Sequence, residues 1–171
     1  MKISIQNILA KSISYSNQVR DKAAVVEYIV IHNTGNIGDN AYNNGIYFRD
    51  RNTRQAGAHF FVDRGGAIIK SIPMNRTAWA VGGDKYTGTK GAKYFGKCTN
   101  YNSVSIELCD IVDKDPSPVQ IAAVNELIKY IQKYCPKAKT VIRHYDVTGK
   151  NCPARFVDTK KWNTLKKELI K

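Results

Sequence analysis

The sequence predicts an α/β domain, a central mixed sheet flanked by helices, and three observations predict it. β-branched runs of strand length recur at VVEYIVIH (25–32), SVSIELC (103–109) and TVIRHY (140–145). Amphipathic stretches at helical spacing lie between and after them, clearest over 117–131. The 171 residues suffice for one domain with a real core and are too few for two comfortable ones. A single domain over 1–171 is expected, with no separate binding module visible.

The elements follow in order. The first run reads as a buried strand ending at His32, followed by the polar loop NTGNIGDN. A helix is expected over 39–51, although Gly45 weakens it. AHFFVD, the turn Arg64-Gly65-Gly66 and AIIKSIP read as a hairpin. Residues 79–100 carry Gly82, Gly83, Gly88, Gly91 and Gly96, five of the twelve glycines, and read as one long loop. Loops of that length in compact domains are commonly functional or mobile. After the strand at 103–109 comes a helix that Ser117 caps, with Pro118 at its first position and Gln120 completing a capping box. Ile121, Val124, Leu127, Ile128 and Ile131 give it one apolar face. The strand at 140–145 ends near His144, and Asp158 caps a last helix whose apolar positions are Trp162, Leu165, Leu169 and Ile170.

Composition narrows the function. With 27 Lys and Arg against 14 Asp and Glu, the net charge is +13, which implies attraction to a polyanion: nucleic acid, an anionic membrane or an anionic cell wall. A merely solubilising surface is the plainer alternative. The densest basic group, Lys160, Lys161, Lys166, Lys167 and Lys171, lies on the polar face of the last helix. That pattern is too diffuse to mark a DNA groove, and no nucleic-acid partner is expected. No stretch approaches the roughly 20 apolar residues of a membrane helix, so no membrane insertion is expected. The N-terminus is interrupted by polar residues too early for a secretory signal, so synthesis is expected in the cytoplasm. The four cysteines follow no compact disulfide framework, which favours a reduced chain with one functional cysteine.

The chemistry gathers at HYDVTGKNCP (144–153), where a histidine and a cysteine flank a Thr148-Gly149 turn. His32 and His144 each end a buried strand, and strand ends converge on one sheet edge, where ligands bind. With Cys152 in the following loop, they form a three-ligand set for Zn²⁺ that leaves a fourth position for water. A strand-end histidine is also often a hydrogen-bonded structural residue, and a Cys152–His144 nucleophilic pair is an alternative that leaves His32 idle.

The segments IVIHNTGN, AHFFVDRGG, NSVSIELCD and HYDVTGKNCP resemble the zinc-dependent N-acetylmuramoyl-L-alanine amidases of the type-2 family, which includes phage endolysins and bacterial autolysins. Peptidoglycan-recognition proteins are related. The likeness runs from about residue 25 to about residue 165 and implies the same fold, one zinc per chain, and peptidoglycan as substrate. It implies zinc ligation by His32, His144 and Cys152. It also implies general acid–base work by Glu107, whose carboxylate is unexpected in an apolar central strand, and oxyanion stabilisation by Lys150. His59, Trp79 and Asn33 complete the expected site as substrate-binding residues; Trp79 either stacks on substrate or covers the core. Two departures stand out: some relatives have a catalytic tyrosine where this chain has Ala58, and many have a histidine where it has Ala80. The resemblance implies wall lysis, of a Gram-positive host given the charge, after phage-type release or non-classical export, with no obligatory protein partner. A peptidoglycan-binding module without catalysis is the alternative, and the complete ligand set argues against it.

Overall fold

The three β-branched runs form three adjacent strands, out to one edge, of a six-stranded sheet in the structure, a computed structural model that describes residues 3–171. In chain order the strands are β1 (Gln6–Asn7), β2 (Tyr15–Val19), β3 (Tyr28–Asn33), β4 (Phe60–Val62), β5 (Ile68–Lys70), β6 (Arg76–Ala78), β7 (Ser103–Leu108) and β8 (Thr140–Arg143). The helices are α1 (Lys22–Val25), α2 (Ala41–Ile46), α3 (Pro118–Tyr134), α4 (His144–Thr148) and α5 (Thr159–Leu169). The sheet runs β1-β5-β4-β7-β3-β8, and β2 pairs with β6 in a separate ribbon. Strands β4, β7, β3 and β8 are parallel, while β5 returns antiparallel to β4 as the expected hairpin, so the sheet is mixed. Parallel central strands are covered on both faces and therefore read as nearly continuous apolar runs.

Alternation along these strands decides what each face does. Ile29 and Ile31 of β3, Val104, Ile106 and Leu108 of β7, and Val141 of β8 point to the face where α3 and α5 pack. Val124, Leu127, Ile128 and Ile131 of α3 meet Trp162, Leu165 and Leu169 of α5 there, in the main core. The opposite face holds Val30 and Ile142 under the 79–100 segment. His32 and Glu107 share that second face, directly across from each other in register.

Local chemistry corrects several expectations. Ser117 does cap α3, its Oγ accepting from the Gln120 N–H at 3.0 Å. Gln120 does not return the bond to close a capping box. Its side chain donates instead to the carbonyls of Val62 (2.9 Å) and Cys109 (3.0 Å), stitching the helix to the sheet. The expected helix over 39–51 begins at Ala41, under an Asn40 cap, and passes into a π turn at Tyr47–Arg51. Gly45 is needed there, because a Cβ would lie 2.9 Å from Ile69 Cγ2 of β5. The third run stops at Arg143, so His144 opens α4 rather than closing a strand. α4 ends after one turn at Gly149, whose φ of 85° favours glycine. Ile170 lies just past α5 and is exposed, off its apolar face.

The 79–100 segment is a strap tied to α4. Backbone N–H groups of Tyr86, Ala92 and Tyr94 donate to the carbonyls of Thr148 (2.8 Å), Tyr145 (2.9 Å) and Asp146 (2.8 Å). Among the described residues, no helix is long and apolar enough to cross a membrane.

Candidate metal centre

Three donors meet at the C-terminal edge of the parallel strands. His32 sits near the end of β3, His144 follows β8 as the first residue of α4, and Cys152 lies in the segment after Gly149. One ligand atom from each falls within 4.8 Å of the others, and all three residues are buried. Cys152 Sγ lies 3.7 Å from His32 Nδ1. The two imidazoles meet edge to face with centroids 4.7 Å apart. A backbone hydrogen bond fixes the cysteine: Tyr145 N–H donates to the Cys152 carbonyl at 2.7 Å.

Electrostatics keep the donors neutral until something binds. Burial, then His144 and Lys150, hold the His32 ring well below the ordinary imidazole range. Burial, then Lys150, bring His144 down to about 4. Both rings therefore offer lone pairs at neutral pH. Burial and the Glu107 charge push the Cys152 thiol up to about 12, the reverse of an activated nucleophile, which speaks against a Cys152–His144 pair. A coordinated divalent ion is what deprotonates such a thiol. His32 Nε2, His144 Nε2 and Glu107 Oε2 are buried without hydrogen-bond partners. Two neutral imidazoles, one thiol and these orphaned atoms are the donor chemistry of a zinc site.

Glu107 faces this cluster from β7. Its Oε1 stands 4.0 Å from His32 Nδ1, and 20% of its side chain remains exposed. Burial, opposed by Lys150 and reinforced by Asp39, raises its carboxyl to about 7. Such a group takes and returns protons near neutrality. Lys150 is exposed in the turn before Cys152 and lines the same cleft as the cluster.

The cleft has a volume of about 1120 Å³ and opens over the donors, with Trp79, Phe48, Tyr86 and Asn100 among its walls. Trp79 is half-buried and lines it, next to Ala80. Asn100 Oδ1 accepts from the N–H groups of Ala80 (3.0 Å) and Val81 (2.7 Å), fixing the Trp79 wall. Asn33 also lines the cleft, but its Oδ1 is engaged by the Ala154 N–H at 2.9 Å, tying β3 to the Cys152 segment.

His59 departs from expectation. It is buried behind the cleft and does not line it. Its Nδ1 accepts from the Ser105 N–H at 3.1 Å, which leaves Nε2 protonated to donate to the Arg76 carbonyl at 3.1 Å. The Arg20 guanidinium packs 3.0 Å from that Nε2 and donates to the carbonyls of Met74, Asn100, Tyr101 and Ser103. Burial and Arg20 hold the ring down at about 3. Sequence reasoning passed over Arg20, Asn100 and the Arg143–Asp146 pair. Only the Asp two places after His144 offered a sign.

The N-acetylmuramoyl-L-alanine amidase family matches residues 22–155, which include all three donors and Glu107. The chain belongs to this amidase family. Among curated amidases, XlyB of Bacillus subtilis (strain 168) is 30% identical over 175 residues, covering 100% of this chain and 50% of that protein. CwlL of Bacillus licheniformis is 34% identical over 161 residues, 86% of this chain and 42% of that protein. The chain thus spans about half the length of the curated amidases it matches. The fold is shared with the solved catalytic domain of XlyA, at a TM-score of 0.74 and 24% identity over 98% of this chain and 99% of that one. An AmpD derivative superposes with a TM-score of 0.64 at 18% identity, over 96% of this chain and 99% of that one.

Proposed function

We propose that this chain is a zinc-dependent peptidoglycan hydrolase that cleaves the amide between N-acetylmuramic acid and L-alanine. The observation that carries the reading is the buried His32–His144–Cys152 cluster at the sheet edge, with Glu107 across the strand register and an open cleft above. His32, His144 and Cys152 would hold the ion. Zn²⁺ bound there supplies Lewis-acid polarisation of the scissile carbonyl and activation of water.

The chain's own groups do the rest. Glu107, with its carboxyl near 7, accepts the proton of the attacking water and delivers it to the leaving L-alanine nitrogen. Lys150, on the cleft wall, places a positive charge where the oxyanion develops. Trp79 offers an aromatic face to the substrate. Asn33 acts chiefly by holding the Cys152 segment to β3. His59 supports the cleft from behind.

The cationic surface favours a polyanionic wall, and the Bacillus relatives make a Gram-positive wall the first choice of substrate. The enzyme would act on the wall after release from the cell that makes it. Mass spectrometry of digested wall tests the reading: new N-terminal L-alanine together with intact disaccharides supports it, and cut glycosidic bonds or intact stems contradict it.

A further inference from the structure

Arg143 is the last residue of β8, and alternation sends its side chain to the α5 face, away from the donors. It is 4% exposed, and its buried charge is fully engaged. Its Nε and Nη2 grip both oxygens of Asp146, at 3.0 and 2.6 Å. Its Nη1 donates to the carbonyls of Phe156 (2.7 Å) and Val157 (2.9 Å). The guanidinium also packs over the rings of Tyr145 (5.0 Å) and Trp162 (5.5 Å). Asp146 in turn accepts the Arg143 backbone N–H at 2.9 Å, bracing the first turn of α4.

These contacts join the segments that carry two of the three donors. Asp146 lies in the turn that begins with His144, and Phe156 and Val157 follow shortly after Cys152. We propose that the Arg143–Asp146 pair is a positioning pair for the metal centre, setting His144 and Cys152 at ligating distance before any ion arrives. The inference rests on the zinc reading above. The planar fork matters: it bonds a carboxylate on one edge and two carbonyls on another, which a lysine ammonium cannot do in one fixed geometry. Groups that orient metal ligands from outside the coordination sphere commonly change affinity by about 10–100-fold when altered.

The test uses the 171-residue chain and reads zinc affinity by competition with a chromophoric chelator. The cobalt-loaded protein adds the thiolate charge-transfer band as a report on Cys152 geometry. Asp146→Asn keeps the side-chain shape and removes the charge, whereas Arg143→Lys keeps the charge and removes the fork. Both are expected to bind zinc about 10–100-fold more weakly and to shift the cobalt band. Leu127→Ala, in the α3 core, is the control for lost stability: it lowers the melting temperature and leaves zinc affinity unchanged. If Arg143→Lys fails to fold, Asp146→Asn decides alone. Unchanged zinc affinity in folded Asp146→Asn overturns the inference and leaves the pair a stabiliser. A wild-type chain that binds no zinc overturns the proposed function, and this inference with it.

Discussion

Glu107 and His59 show how differently two polar residues behave on one sheet face. Glu107 reaches the cleft beside His32, so Glu107→Gln should leave zinc bound and lower amide hydrolysis by about 10²–10⁴-fold, read as zinc content and turnover side by side. Loss of zinc in that variant would make Glu107 a structural support. Cys152→Ser should weaken zinc binding and abolish turnover, while Cys98→Ser and Cys135→Ser should keep both, since burial holds those thiols protonated. His59 was expected to bind substrate and is buried without lining the cleft. The motif AHFFVD shows that a histidine precedes a strand, but not that a buried arginine waits behind it. Because the folded ring titrates near 3 and an unfolded one near 6.5, the unfolded chain binds the extra proton between those values. Stability therefore falls as pH drops through that window. The His59 ring resonances should stay in the neutral form from pH 8 to about 4, and a midpoint near 6.5 would show the burial to be wrong.

At the scale of elements, what the sequence made legible is what depends on pattern. The apolar runs of β3, β7 and β8 and the heptad-like face of α3 lie close to where periodicity puts them, because a buried face demands the same spacing wherever it packs. β1, at two residues, and β6, at three, are too short to carry any period, and the polar, exposed β2 sits in an outer ribbon. α4 was hidden for another reason. Its sequence, HYDVT, continues a β-branched run, and the buried Arg143–Asp146 contact, invisible in periodicity, turns the chain into a helix there. The grouping of His32, His144 and Cys152 was readable because two histidines stood at or just past the ends of apolar strand-like runs and a cysteine followed closely, while the Arg143–Asp146 pair behind them left no periodic trace. The α3 face also gives a stability prediction: Leu127→Ala, fully buried between α3 and the sheet, should cost about 2–5 kcal/mol in chemical denaturation. A cost near zero would mean that α3 is not part of the core.

Across the whole molecule the two sheet faces divide the work. The donors, Glu107 and the cleft occupy one, and α3 with α5 covers the other. Lys160, Lys161 and Lys167 are exposed on α5 and Lys166 is partly so, which places this basic helix away from the chemistry. If that surface holds the domain to an anionic wall, lysis of whole cells should fall steeply with salt, since exposed charges are screened over roughly 8 Å at 0.15 M. Cleavage of a small soluble muropeptide should scarcely change over the same range. Neutralising the four lysines together should reproduce the effect of salt on cells alone, and equal loss on both substrates would instead indicate damage to α5. The most direct test of the account is muropeptide cleavage by the metal-stripped chain before and after zinc is returned. The account predicts no cleavage after chelation and full recovery at one zinc per chain, with L-alanine as the new N-terminus. Undiminished cleavage by a chain shown to be free of metal would contradict it.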